Sequence, residues 1–554
     1  MKLRLSGIYI HLPDSGSLEP DSLNYCIQAF GRQLIAYSRA LDELSSRDLI
    51  SRGPRAITNS PLLAEILDGA ADGGPALEYR SLPDHPYDAL SQLMARPGLP
   101  VEDLEARMET WAFFHGIAPL MDLSRSLDLL GRHVRFLSSY TYAENLPPGL
   151  SPDYVGVEFF ELQKRPESDL HSFVFKNFHE LDAEVAFYLP DLRIHRLDFS
   201  GQSNRSLRLC KAILESGSSA RFQDEQEVRA DFGEEQGAIE SFAAEGGFPS
   251  SLSAISSLLE QSPEIFRIAP SYLEIELNTA SPVQDRLLLA PSETLALSAD
   301  QRKEILNQLS DFLTGDVTVC LGGRGDSGAD ESAPEFALEL LAQPSVQSVY
   351  VETYGYDMSR WLDFLLRNAE RAEELATSGR LVFIVRLCSL RQDRYQHFYS
   401  GGDVSRIMAE LEACQKALEK QEGPGFSVYV EMQKIKEVED EIHGFFQKYD
   451  PTPLTPILRK QNTYGGLLED RKISDLSPPI RGFCWHLSRD LYINASGRIP
   501  ICRQVPDGPG PVLADGLLQA FSRMQKDYVH SMKGEHDSIS APCLDCDEWY
   551  LFQA

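Results

Sequence analysis

No apolar run in this 554-residue sequence is long enough to cross a bilayer: stretches such as LVFIV end after about five residues, where roughly twenty are needed. Positive charge is scarce as well. Lys and Arg number 52 against 83 Asp and Glu, a net charge of −31, and no segment gathers basic residues into a patch. A phosphate backbone or an anionic lipid surface would be repelled, so neither nucleic acid nor membrane is expected as a partner. The N-terminal MKLRLSGIYIHLPDSG turns polar after one strand length, and the protein is read as cytoplasmic. Cysteine is sparse too, with nine in all and none between Cys210 and Cys320. An odd total in a large chain argues against a disulfide framework.

The composition that remains, 42% hydrophobic and 24% charged, is that of a folded multidomain protein. Short apolar strands alternate with helical stretches, which predicts an α/β fold. Residues 1–199 hold a first α/β series, with LSGIYI, the helix-like DSLNYCIQAFGRQLIAYSRAL and the aromatic strand WAFFHGIAPLMD. Residues 200–265, rich in Ser, Glu, Gln and Ala, are expected to form a helical connector. A second series over 266–478 runs through SYLEIEL, DVTVCLGG, SVQSVYVET, RLVFIVRL and FSVYVEM, with helices between. Such repetition calls for a parallel sheet, a complete or partial βα barrel. Ser298 and Gln301 have the spacing of a capping box at the start of one of those helices.

A cysteine-bearing tail, 479–554, follows. Four of the nine cysteines, Cys484, Cys502, Cys543 and Cys546, lie in the last 71 residues, where even scatter would put about one. Cys484 precedes the strand-like LYIN, Gly497 permits a hairpin turn, and Cys502 follows in the pattern C-x12-G-x4-C. Cys543 and Cys546 form C-x2-C, whose sulfurs leave one tight turn toward a common metal. Four thiolates suffice for a 4Fe–4S cluster or a tetrahedral zinc, and spacing alone leaves both open. Cys320 and Cys388, in apolar strands, and Cys414, on an amphipathic helix, read as buried core thiols.

The order Cys484, Gly497, Cys502, VLADGLLQAF, Cys543, Cys546 resembles a SPASM domain, the auxiliary iron–sulfur module of many radical S-adenosylmethionine enzymes, in its shortened single-cluster form. The resemblance extends over about 280 residues, 271–554, and implies a radical SAM-like barrel and one 4Fe–4S cluster on these four cysteines. The family's barrel also carries C-x3-C-x2-C after its first strand, where three thiolates leave one iron open for S-adenosylmethionine. The corresponding LEIELNTASPVQDRLLLAPSE, 273–293, has no cysteine, and Ala280, Ser281 and Ala290 stand where thiolates would be. Cleavage of S-adenosylmethionine is therefore not expected. The glycine turn CLGGRGDSG corresponds to the family's cofactor-contacting turn, which makes Gly322, Gly323, Gly325 and Asp326 candidate cofactor-binding residues. A plain strand-to-helix turn explains the same glycines.

LSGIYI, WAFFHGIAPLMD and SSYTYAENLPPGL resemble a cytidylyltransferase-like nucleotidyltransferase domain, in degenerate form. The loop HLPDSGSLEP after the first strand has one glycine and neither Lys nor Arg to cradle phosphates, and Ile117 or Ala118 replaces the family's metal-binding aspartate. His115 and Asp122 are a possible pair, and Asp182, Glu184, Asp191, Arg193, His195 and Arg196 read as an exposed strand face. Taken together, the three regions resemble the spiro-SPASM proteins. The reading is an iron–sulfur protein that binds a substrate or partner (protein, peptide or sugar nucleotide) or transfers electrons. A divergent radical SAM-type enzyme that modifies a peptide or sugar nucleotide, and a zinc-stapled scaffold, are the alternatives. No catalytic residue is assigned.

Overall fold

A computed structural model describes residues 4–12, 17–68, 77–94, 109–162, 164–166, 169–216, 238–245, 248, 250–375, 379–420, 425–474 and 478–550. The chain divides into two compact units, Met1–Ile268 and Ala269–Ala554. Among the described residues no helix is long and apolar enough to cross a membrane.

The first unit is built on a mixed sheet of strands β1 (Arg4–His11), β2 (Ser51–Thr58), β3 (Leu77–Tyr79), β4 (Glu109–His115), β5 (Tyr140–Ala143), β6 (Asp153–Gly156) and β7 (Ala183–Ala186), in the order β3-β2-β1-β4-β6-β5-β7. β1 is parallel to both β2 and β4, whereas β6 runs antiparallel to β4 and β5. Six of the seven residues of β4 are buried, as a central strand covered on both faces requires, which is why WAFF reads as an unbroken apolar run. The helix Pro20–Ser46 buries Leu23, Cys26, Ile27, Phe30, Leu34, Tyr37, Leu41 and Leu44, the one-sided stripe of a helix laid on a core. Gly7 is needed where it stands, because a Cβ there would meet the Trp111 ring at 2.6 Å and the Arg55 carbonyl oxygen at 2.7 Å.

The region read as a connector packs within this unit. Asn204 accepts the Glu19 amide at 2.7 Å, and helix Asn204–Glu215 buries Leu207, Cys210 and Ile213. Ser250 caps helix Ser251–Gln261 and donates to Asp122 at 3.0 Å. These short helices each bury one apolar side, which a free linker has no means to cover. Residues 217–237 of the same stretch lie outside the described residues.

The second unit carries β8 (Tyr272–Ile275), β9 (Gln284–Asp285), β10 (Val317–Leu321), β11 (Val346–Thr353), β12 (Leu381–Arg386), β13 (Tyr399–Ser400), β14 (Phe426–Lys434), β15 (Thr455–Lys460) and β16 (Asp490–Ile493). Its main sheet has the order β15-β14-β12-β11-β10-β8-β16, with every pair parallel. β9 and β13 form a separate antiparallel pair. Helices alternate with the parallel strands as expected, and the Ser298 to Gln301 capping box is present. Cys388 and Cys414 are fully buried in the apolar core, and Cys320 is fully buried beside Tyr272 and Glu352.

One tail element sits elsewhere than its pattern suggests. LYIN does not return in a hairpin strand. As β16 it lies parallel to β8, with Leu491 opposite Leu273 and Ile493 opposite Ile275. The turn at Gly497 does form, closed by its amide on the Asn494 carbonyl at 2.8 Å and with φ at 78°. The strand's apolar residues are satisfied by the unpaired flank of β8, a partner more than 200 residues away in sequence.

Candidate functional site

The four tail cysteines come from three separate segments. Cys484 stands at the N-terminus of helix Trp485–Arg489, Cys502 follows the Gly497 turn, and Cys543 and Cys546 flank the end of the short helix Ala541–Leu544. All four line one pocket, together with Arg481, His486, Gln504 and His536. Direct bonds hold the segments in place. The Trp485 amide donates to the Trp549 carbonyl at 2.9 Å, the Cys484 amide donates to Ser531 at 2.7 Å, and Arg481 donates to the carbonyls of Cys543 and Leu544. Lys460 and Lys472, from β15 and beyond, donate to the Asp547 carbonyl and carboxylate.

The apolar support next to the cysteines is small, a cluster of Phe483, Trp485, Leu487 and Tyr528, while Leu513, Leu517 and Phe521 of the tail join the core of the sheet. Burial, reinforced by the neighbouring thiols, pushes the thiols of Cys484 and Cys502 well up, and burial raises that of Cys546 to about 12. Metal binding here must displace those protons, so it competes with them.

The donor set and its spacing test which metal fits. A single tetrahedral zinc with bonds near 2.3 Å draws its sulfurs to about 3.8 Å from one another. Among the described residues the only three metal-ligating side chains whose donor atoms all lie within 4.8 Å belong to the first unit, so no three of these sulfurs approach that closely. A preformed zinc site is thus not drawn together, and the set accommodates a polynuclear cluster, in which each thiolate binds a different iron. The pocket wall agrees with that reading. Nε2 of Gln504, Nδ1 of His536 and Nε of Arg481 are buried there without a hydrogen-bond partner, and N–H donors of this kind serve cluster sulfurs.

Beside the cysteines lies a buried network of four glutamates and four arginines. Arg503 follows Cys502 and reaches Glu274 on β8 at 3.2 Å and Glu352 on β11 at 3.6 Å. Arg386 on β12 also pairs with Glu352, and Arg459 on β15 pairs with Glu352 at 3.1 Å and with Glu431 on β14 at 2.9 Å. Arg324 grips Glu276 at 2.9 Å and Asp507 at 2.8 Å. Carboxyl ends of parallel strands are where α/β sheets take their ligands. Here several of those ends carry the chain's own ion pairs. A second small pocket, lined by Tyr272, Glu274, His486, Cys502 and Arg503, joins this network to the cysteines.

The charges are not equivalent. Burial opposes ionisation of Glu352, yet Arg386, Arg503 and Arg459 hold it well below the usual carboxylate range. Burial pushes Glu274 the other way, up to about 7, against the pull of Arg503. A carboxyl group raised in the folded state contributes stability below its unfolded value of 4.5, and that contribution is lost as pH rises through about 7. Glu274→Gln is therefore expected to flatten the dependence of unfolding free energy on pH between those limits, as read from urea titrations across the range. An unchanged slope would show that Glu274 is ionised throughout.

The glycine turn is closed by the chain itself. Gly322, Gly323, Gly325 and Asp326 are all buried. A Cβ at Gly322 would meet Glu352 at 2.7 Å, at Gly323 Glu276 at 2.8 Å, and at Gly325 the Asn278 carbonyl oxygen at 2.2 Å. Asp326 accepts the amides of Gly328 at 3.0 Å and Tyr354 at 3.3 Å. The close approach that glycine allows here is to the chain's own groups. In the first unit, His115 and Asp122 are not brought together. Asp122 is fully buried and accepts the amides of Arg125 and Leu252, as helix caps do, while His115 meets Asp153. Of the polar set around 182–196, only Glu184 lies on a strand, β7, while Arg193–His195 forms a 3-10 turn, so the set is not one strand face; Asp191 pairs with Arg193 and Glu184 with Arg132.

No protein-family model matches the chain. An uncharacterized protein of Treponema pallidum is 27% identical over 309 residues, covering 53% of this chain and 83% of its own. Three solved structures resemble it at 12% identity. Streptococcus suis SuiB bound to precursor peptide SuiA covers 64% of this chain and 86% of its own at a TM-score of 0.36. A histidine-tagged anSMEcpe with bound AdoMet covers 50% and 84% at 0.36, and BtrN in complex with AdoMet and 2-DOIA covers 50% and 92% at 0.30. Likenesses at this level assign neither an activity nor a ligand to this chain.

Proposed function

We propose that the chain is an iron–sulfur protein on a divergent radical SAM-like scaffold with a SPASM-like tail, in which Cys484, Cys502, Cys543 and Cys546 hold one 4Fe–4S cluster. The observation that carries this reading is the convergence of four thiols on one pocket, beside the buried and unpaired Nε2 of Gln504 and Nδ1 of His536. With four thiolates every iron is ligated, so the group supplies a structural staple or an electron relay rather than an open iron. The chain's own residues do the rest. Arg481 clamps the C-x2-C turn, and Arg503, next to Cys502, ties that segment to the buried charges of the sheet.

The role proposed for the second unit is partner binding or electron transfer without cleavage of S-adenosylmethionine. Ala280 and Ser281 offer no thiolate, and Glu276, Asn278 and Glu352 close on the glycine turn. The first unit is proposed as a nucleotidyltransferase-like binding unit for a protein, peptide or sugar nucleotide. The test is analysis of anaerobically purified protein: four irons and four acid-labile sulfides per chain, with brown colour bleached by air, are expected. One zinc and no sulfide would overturn the reading in favour of a zinc-stapled scaffold.

A further inference from the structure

The first unit holds a second donor set, chemically unlike the cysteines. His115 ends β4, Asp153 opens the antiparallel neighbour β6, and His171 lies in the first turn of helix Leu170–Lys176. Nε2 of His115 is 2.8 Å from Oδ2 of Asp153, and Nε2 of His171 is 2.7 Å from the same oxygen. All three donor atoms lie within 4.8 Å of one another. The carboxylate is deep, with its side chain 5% exposed, while the two imidazoles are 30% and 39% exposed, so the set opens toward solvent on one side.

The three side chains are held from behind. Tyr140 donates its hydroxyl to Asp153 Oδ2 at 2.6 Å. The Phe113 ring meets His115 edge-on with centroids 4.2 Å apart, and Tyr142 stacks on His171 at 4.2 Å. Locked rings and a hydrogen-bonded carboxylate are what a preorganised ligand set requires. The position is apt as well. β1 takes β2 on one side and β4 on the other, and ligands of open α/β sheets settle at the carboxyl ends of strands beside such a switch.

We propose that His115, Asp153 and His171 bind a divalent first-row transition-metal ion through two imidazole nitrogens and one carboxylate oxygen, leaving coordination positions open to an oxygen-donor ligand. Adjacent ligands about 2.1 Å from an octahedral ion are about 3 Å apart, close to the separations found here, and two histidines with one carboxylate on one face leave three positions free. A thiolate-free set of this kind differs in softness from the tail cysteines, which separates the two sites experimentally.

The test uses full-length protein purified anaerobically with its cysteine site filled, stripped of loosely held ions with a chelator and titrated with cobalt(II). One equivalent is expected, giving visible bands without thiolate charge transfer. His115→Gln and His171→Gln are each expected to lose that equivalent, whereas His179→Gln, an exposed histidine outside the set, keeps it. In case a variant fails to fold, proton spectra of the cobalt-loaded wild type are expected to show strongly shifted resonances from two imidazole rings. No uptake, an equivalent retained in both variants, thiolate bands alone, or no shifted imidazole signals would each overturn the proposal and leave Asp153 as a hydrogen-bond acceptor only.

Discussion

Cys502→Ala is expected to bring iron per chain close to zero and to make the segments next to the cysteines, 479–489 and 533–550, sensitive to protease while the rest of the chain resists. Around the cysteines the apolar support is the four-residue cluster of Phe483, Trp485, Leu487 and Tyr528, and the segments are otherwise joined by hydrogen bonds between loops, whereas Leu491, Ile493, Leu513, Leu517 and Phe521 are anchored in the core of the sheet. A structural metal contributes on the order of 10 kcal/mol to folding in small modules of this type. Losing one of four ligands forfeits much of it. Cys388→Ala, by contrast, trims one fully buried thiol from a large apolar core and is expected to cost about 1 to 2 kcal/mol with iron content unchanged. Timed trypsin digestion of both variants and the wild type distinguishes them. Equal cleavage of the tail in all three would contradict the metal staple.

Glu352→Ala is expected to destabilise the second unit by about 3 to 5 kcal/mol, the usual consequence of removing one partner from a buried ion pair. Glu352 is the carboxylate shared by Arg386, Arg459 and Arg503, and its side chain is 3% exposed. Arginine cannot shed its proton to escape the interior, so three guanidiniums would be left with Glu274 and Glu431 as their remaining counter-charges. The urea midpoint is the measurement. A change below about 1 kcal/mol would mean that water reaches the network and screens it.

The α/β alternation and most of the parallel strands were legible because most strands of the second sheet contain a short apolar run, as in LVFIV and VYV. The signal for the buried charges was present too: LEIEL, VYVET, FIVRL, VYVEM and ILRK each carry a charged residue at or near the end, and those residues meet inside. Read one strand at a time, each looks like an ordinary strand end. Only the sheet order turns them into a network. The partner of LYIN was not legible at all, since nothing local distinguishes a hairpin from pairing with a strand more than 200 residues earlier. His115 shows the same limit. Its proximity in sequence to Asp122 suggests a pair, whereas its contacts, Asp153 and His171, come from a neighbouring strand and a later helix.

The pairing of β16 with β8 has a consequence for the order in which the chain can be completed on the ribosome. β10 follows β8 closely in sequence and is available to pair with it early, but the partner of β8's other flank is absent until Ile493 has left the exit tunnel. At about 5 to 20 residues per second, the interval between the two strands is about 10 to 45 s. For that time a buried, apolar strand presents an open edge of the kind that recruits other chains.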